Sequence, residues 1–138
     1  MLAWLHIGII VVTVCVVLYA DHHAFRYLLG RERVLDKSAT LRLHHTVWAL
    51  LVGMLVTGTA LVWQGWAYYF SIPEFKLKLF FVAVLVVNSF VITSIMHAAF
   101  ETPFAELPRS RQASFVLSGA ASTLGWLGAI ATALYLFW

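Results

Sequence analysis

Charged residues are scarce in this chain of 138 residues. It has nine Lys and Arg and six Asp and Glu, so that 11% of its residues are charged and 62% are apolar. An ordinary soluble domain carries about 25% charged residues. So few charges would leave large apolar patches exposed to water. The composition therefore excludes a typical soluble fold and favours a protein whose surface contacts the lipid bilayer.

Cysteine and the motifs of soluble enzymes are scarce as well. The single cysteine, Cys15, lies inside an apolar run and cannot form an intrachain disulfide. The sequence contains no G-x-S-x-G elbow, no Gly-rich phosphate loop and no C-x-x-C pair. No nucleic-acid-binding motif accompanies the net charge of +3. We therefore expect neither an ordinary hydrolase nor a nucleic-acid partner.

Four apolar runs have about the length that a helix needs to cross a bilayer. They predict an all-α integral membrane protein, one domain over residues 1–138, folded as an antiparallel four-helix bundle. The predicted helices cover residues 2–22, 42–64, 75–100 and 112–138, with Ser38 or Thr40 capping the second. Basic residues follow the first run instead of preceding it, which predicts a retained helix and not a signal peptide. A bundle this small also fits a homo-oligomer or a larger membrane complex.

The distribution of basic residues predicts the orientation of the bundle. Seven of the nine Lys and Arg fall within Asp21–Leu43 and Glu101–Ser114, which connect the first to the second and the third to the fourth helix. The positive-inside rule places both connections in the cytoplasm and both termini outside. Aromatic residues around Gln64–Phe75, with Trp4 and Trp138, are predicted to lie at the outer interface. The expected location is a cell membrane, as a multi-pass protein of the bacterial inner-membrane type.

Six histidines stand out among so few polar residues, and five of them lie near the predicted cytoplasmic boundary. Imidazole together with carboxylate suits zinc, copper or iron. His97 and Glu101 are four residues apart, so both would reach one ion from a continuous α-helix. The candidate metal ligands are Asp21, His22, His23, His44, His45, His97 and Glu101. Interfacial histidines at the ends of helices are the alternative interpretation.

Two residue pairs are also candidates for binding a flat cofactor. His45 lies on a stripe of small residues of the second helix, and His97 lies on a polar line of the third, so this pair could ligate haem near the inner side. His6 and Lys78 each lie about one turn into their helices and are expected at similar depth. A lysine at this position can also extend to the interface.

Asn88 lies at the middle of the third helix, where a buried amide needs a partner. We expect it to bond Thr57, Thr13 or the polar edge of a ligand. The last helix, with its small-residue pair Gly125 and Ala129, is predicted to serve as a scaffold.

A further set of residues resembles a known family. The early His6, the Thr57–Gly58 pair and the segment Phe75–Leu79, which opens the third helix, are similar to the HemJ-type protoporphyrinogen oxidases and the related CopD-like membrane proteins. The similarity extends over about two-thirds of the chain. The resemblance implies that His6 and Lys78 bind b-type haem. The run Tyr19–His23 departs from the family's first-helix pattern, which predicts a divergent relative.

Our leading prediction from the sequence is a membrane b-type haem protein that handles electrons or porphyrin, with His6, Lys78, His45, His97 and Asn88 as candidate cofactor-binding residues. If the chain is an enzyme, this predicts an oxidoreductase, but no residue is assigned a catalytic role. Two alternatives fit the same sequence. One is a metal-binding or transport protein that uses the histidine cluster, and the other is an accessory subunit of a larger membrane complex without a cofactor of its own.

Overall fold

The protein is all-helical over residues 1–137, which are the residues that the structure, a computed structural model, describes. The elements are α1 (Leu2–Leu28), α2 (Lys37–Val62), a 3-10 turn (Trp63–Gly65), α3 (Trp66–Ser71), α4 (Pro73–Ile95), two further 3-10 segments (Met96–Phe100 and Phe104–Glu106) and α5 (Arg109–Phe137). Four of the helical segments are long and apolar enough to cross a membrane. The predicted all-α, four-helix membrane fold is therefore confirmed.

The first connection is shorter than predicted because both flanking helices extend into it. α1 continues to Leu28 instead of ending near residue 22, and it stops where Gly30 adopts a φ of 70°. This left-handed conformation favours glycine. α2 begins at Lys37 instead of residue 42, because the Asp36 side chain accepts a hydrogen bond from the Ala39 amide. The cap is therefore Asp36, and the prediction of Ser38 or Thr40 was wrong.

The boundaries of the later helices also differ from the prediction. α4 begins at Pro73, a residue whose fixed φ suits the first turn of a helix. Its α-helical geometry ends at Ile95, and residues 96–100 continue as a 3-10 helix. α5 begins at Arg109, directly after Pro108. The predicted end of the last helix at Trp138, and the interfacial position of that residue, lie outside the described residues.

The four long helices run alternately up and down and form two tight pairs. In the first pair, α1 and α2 meet where Ile9 lies against Gly53. In the second pair, Leu85 and Phe81 of α4 lie against Gly125 and Gly128 of α5. A methyl group built on Gly125 would lie 2.7 Å from Leu85 Cδ2, and one built on Gly128 would overlap the Phe81 ring. The glycines therefore set how closely α4 and α5 approach.

The two ends of the bundle differ in composition. The basic end carries the connections 29–36 and 96–108, and the aromatic end carries residues 63–72. A cluster of apolar residues closes the basic end: Tyr27 is 1% exposed, Ala99 0% and Leu107 6%. The Tyr27 hydroxyl donates to the Thr102 carbonyl oxygen at 2.7 Å, and the Leu35 amide donates to the Ala99 carbonyl oxygen at 2.9 Å. The first bond joins α1 to the second connection, and the second bond joins the two connections to each other.

We expect Gly128→Ala to lower the free energy of unfolding by about 1–3 kcal/mol, because the added methyl group forces the Phe81 ring to move in a packed contact. The measurement is unfolding in mixed detergent micelles, followed by circular dichroism. Gly119→Ala on the same helix is the matched control, since nothing lies within 4 Å of a methyl group built there. Equal stability of the two variants would contradict a close α4–α5 contact at Gly128.

Candidate functional site

His6 is held by Thr57 near the aromatic end. His6 Nδ1 lies 2.7 Å from Thr57 Oγ1, and the Thr57 hydroxyl donates to the Gly53 carbonyl oxygen, also at 2.7 Å. When the Thr57 hydroxyl donates to that carbonyl, Thr57 Oγ1 can accept only from His6 Nδ1–H, and the neutral imidazole then carries its proton on Nδ1. Its second nitrogen, Nε2, carries an electron pair that is available to a metal or a proton donor.

Two neighbours define the surroundings of this imidazole. A methyl group built on Gly58 would lie 3.3 Å from His6 Cε1, so glycine gives the ring its space on α2. The half-buried Lys78 ammonium lies within range of electrostatic interaction with the ring. Among the described side chains, no carboxylate forms an ion pair with Lys78. Lys78 thus influences the His6 ring electrostatically, and their placement at one depth stays a prediction.

Asn88 has a different partner from those that the sequence suggested. Its Nδ2 donates to the Ser118 carbonyl oxygen at 3.0 Å, and the Ser118 hydroxyl donates to Asn88 Oδ1 at 2.8 Å. Both residues are 6% exposed. Bonding to Thr57 or Thr13 was therefore a wrong expectation, because Asn88 faces α5 and those threonines lie in the α1–α2 pair. The amide is engaged in joining α4 to α5.

A cavity of about 440 Å³ lies between the two helix pairs, towards the basic end. We call it the interhelical cavity. Most of its wall is aliphatic and aromatic, and its polar groups come from all four long helices. They include Asp21, His23, His44, Asn88, Ser89 and Ser122. Cavities of this size with a few polar groups in an apolar wall are typical of small-molecule sites in proteins.

The predicted metal cluster does not assemble in the described part of the chain. Asp21, His23 and His44 line the interhelical cavity. The other four candidates have exposed side chains: His22, His45, His97 and Glu101. In residues 1–136, no three His, Cys, Asp or Glu side chains lie close enough to hold one ion. Adjacent histidines diverge because neighbours on an α-helix point about 100° apart.

The two histidines of the cavity have protein partners. His23 Nδ1 lies 3.3 Å from Glu32 Oε1, and the same oxygen lies 3.1 Å from Arg26 Nε. His44 Nε2 accepts a hydrogen bond from Trp48 Nε1 at 3.1 Å and lies 2.9 Å from Thr93 Oγ1. His23 therefore tethers the first connection, and His44 joins α2 to α4.

His97 lies outside the α-helical part of the third span. It belongs to the 3-10 segment Met96–Phe100, and Glu101 follows the end of that segment, so the two residues are not four apart on a continuous α-helix. His97 and Glu101 therefore do not share one helix face. His97 and His45 are both exposed, and neither lines the interhelical cavity. The inner haem pair of His45 and His97 stays a prediction.

Sequence reasoning missed the contribution of α5, which it treated as a scaffold. Ser118 bonds Asn88, and the Ser122 hydroxyl lies 3.4 Å from Asp21 Oδ2. Both serines are 6% exposed. Their spacing of four residues was the available signal, since it places two polar groups on one helix face.

Comparisons with known proteins return no match, whether against family models, curated proteins or solved structures.

We expect the Asn88–Ser118 side-chain bond to appear as coupling in a double-mutant cycle. Asn88→Ala, Ser118→Ala and the double variant should show a coupling energy of about 0.5–2 kcal/mol in detergent unfolding experiments. The control pair is Ser94→Ala with Ser114→Ala, since these hydroxyls donate to carbonyls of their own helices. Additive effects at Asn88 and Ser118 would show that their side chains do not act together.

Proposed function

We propose that the chain is an integral membrane b-type haem protein that carries electrons or handles porphyrin. In this proposal, His6 and Lys78 would hold the haem. The observation that carries the proposal is the 2.7 Å contact of His6 Nδ1 with Thr57 Oγ1, which, with the proton on Nδ1, leaves Nε2 as the electron-pair donor.

The Thr57 contact supports a ligand role because histidines that bind metals almost always donate their other ring N–H to a protein acceptor. Such a bond fixes the tautomer and the ring orientation and makes the donor nitrogen more basic. Thr57 is 8% exposed and its own proton is used by Gly53, so it remains an acceptor. Gly58 supports the same role, because a larger residue would crowd the ring.

Lys78 supports the proposal through its position and its lack of a described ion-pair partner. An ionisable residue inside a membrane is costly and points to a function with a specific partner. Lys78 lies near His6 and is half-buried, whereas Lys76 is exposed. The resemblance of these positions to the HemJ-type pattern is a second, independent argument. Bound haem would supply one-electron redox chemistry, with its potential set by the axial ligands.

The decisive experiment is an absorption spectrum of the purified chain, air-oxidised and then reduced with dithionite, after growth with a haem precursor. We expect a b-type reduced-minus-oxidised spectrum. His6→Ala should lose most of the bound haem, because the imidazole that would hold it is removed, whereas His22→Ala should retain it, since His22 is exposed on the same helix.

The role of Lys78 is tested with Lys76 as the matched control. Lys78→Met should weaken haem binding or shift its reduction potential, and Lys76→Met, which removes the same charge from an exposed position, should do neither. A colourless wild-type protein with no extractable haem would overturn the proposal. Equal haem content in His6→Ala and His22→Ala would overturn the assignment of His6.

A further inference from the structure

The interhelical cavity contains a carboxylate, that of Asp21, with no cationic partner among the described residues. Asp21 lies within the membrane-spanning part of α1 and lines the cavity. In the described chain, its only side-chain hydrogen bond comes from Ser122 Oγ at 3.4 Å, which is longer than a usual O–H···O bond. No Lys, Arg or His of residues 1–136 forms an ion pair with it. A carboxylate in such surroundings is costly unless a positive or hydrogen-bond-donating group approaches it.

The nearby histidines do not provide that group, since they are engaged elsewhere. His23 pairs with Glu32, which lies in the first connection. His44 is bonded to Trp48 and lies against Thr93. The position beside Asp21 is therefore left to a ligand in the cavity.

The wall of the cavity suits the apolar body of such a ligand. Leu51 and Leu85 form part of its wall and are 2% and 4% exposed. Aromatic rings also line it, among them Tyr27, Phe115 and Trp126. Aromatic faces attract organic cations, and the attraction strengthens where water is excluded. A lone carboxylate and aromatic rings in one cavity are thus complementary to positive charge spread over an apolar molecule.

The exposed residues of the wall show where such a molecule enters. Phe25 of α1 is 58% exposed and Val116 of α5 is 54% exposed, and Gly119 and Ala120 of α5 are exposed too. By contrast, the wall residues of α2 and α4 are buried or half-buried. The mouth therefore lies between α1 and α5, on a side that faces lipid. Gly119 and Ala120 place little side-chain bulk at this mouth.

We propose that the interhelical cavity binds a hydrophobic organic cation, which enters from the bilayer between α1 and α5 and places its positive charge at Asp21. This site is separate from the proposed haem site. Asp21 and His6 are fifteen residues apart on α1, which corresponds to about 22 Å along a helix.

The test uses two probes of one shape and opposite charge, tetraphenylphosphonium and tetraphenylborate. Binding to the full-length chain in a non-ionic detergent is measured by equilibrium dialysis, with tryptophan fluorescence as a second signal because Trp126 lines the cavity. We expect saturable binding of the phosphonium at one per chain, and no saturable binding of the borate. Asp21→Asn should weaken phosphonium binding by about tenfold or more.

Two variants make the test specific. Glu106→Gln removes an exposed carboxylate outside the cavity and should leave phosphonium binding unchanged. Gly119→Phe narrows the mouth without touching Asp21, and it should also weaken binding. Wild-type affinity in Asp21→Asn, or equal saturable binding of the borate, would overturn the proposal, as would the absence of phosphonium binding.

The haem spectrum separates this proposal from the proposed function. Asp21→Asn should keep the haem content of the wild type while losing the cation. His6→Ala should lose haem while still binding the phosphonium. A chain without haem that binds the phosphonium through Asp21 would retain the present proposal and reject only the haem assignment.

Discussion

The close approach of α4 and α5 over Gly125 and Gly128 is the contact on which the arrangement of the bundle depends. Lipid chains are as apolar as leucine, so membrane helices gain little hydrophobic free energy by packing together. They associate through close backbone approach and through buried polar bonds instead. Here the two glycines admit Leu85 and Phe81, and the Asn88–Ser118 bonds, nearer the basic end, hold the same two helices. The α1–α2 pair uses the same elements at Gly53 and at the His6–Thr57 bond.

The two helix pairs pack less closely against each other than the helices do within each pair, and this leaves space between the pairs. The interhelical cavity lies in that space, and its basic end is closed by the cluster around Tyr27 and Ala99. Polar groups on the facing helices therefore line a cavity instead of being covered by the side chains of a neighbouring helix. The same packing divides the membrane-embedded polar residues into two groups at different depths. His6 and Lys78 lie near the aromatic end, and Asp21 and His44 lie towards the basic end.

Much of the fold could be predicted because membrane helices are a local property of sequence. Length, apolar composition and prolines are enough to place four spans within a few residues. The errors arose where a local signal was overridden by packing or by capping. α1 extends through polar residues past Tyr27, whose ring is buried against the connections. α2 begins earlier than predicted because its cap is Asp36 and not Ser38 or Thr40. The change to a 3-10 helix after Ile95 turned His97 away from the direction that an α-helix would have given it.

The sequence by itself determined the membrane class, the number of spans and the short list of polar residues, because a chain so poor in charge has few places for chemistry. It also predicts His6 and Lys78 at one depth, since each lies about one turn into its helix. Only the tertiary structure decided which polar groups meet. The spacing of residues along one helix does not predict that Thr57 contacts His6, that Ser118 hydrogen-bonds Asn88, or that Asp21 lines a cavity. Those pairings depend on the rotation of each helix about its axis, and in lipid that rotation is set by small-residue contacts between helices instead of by a hydrophobic face.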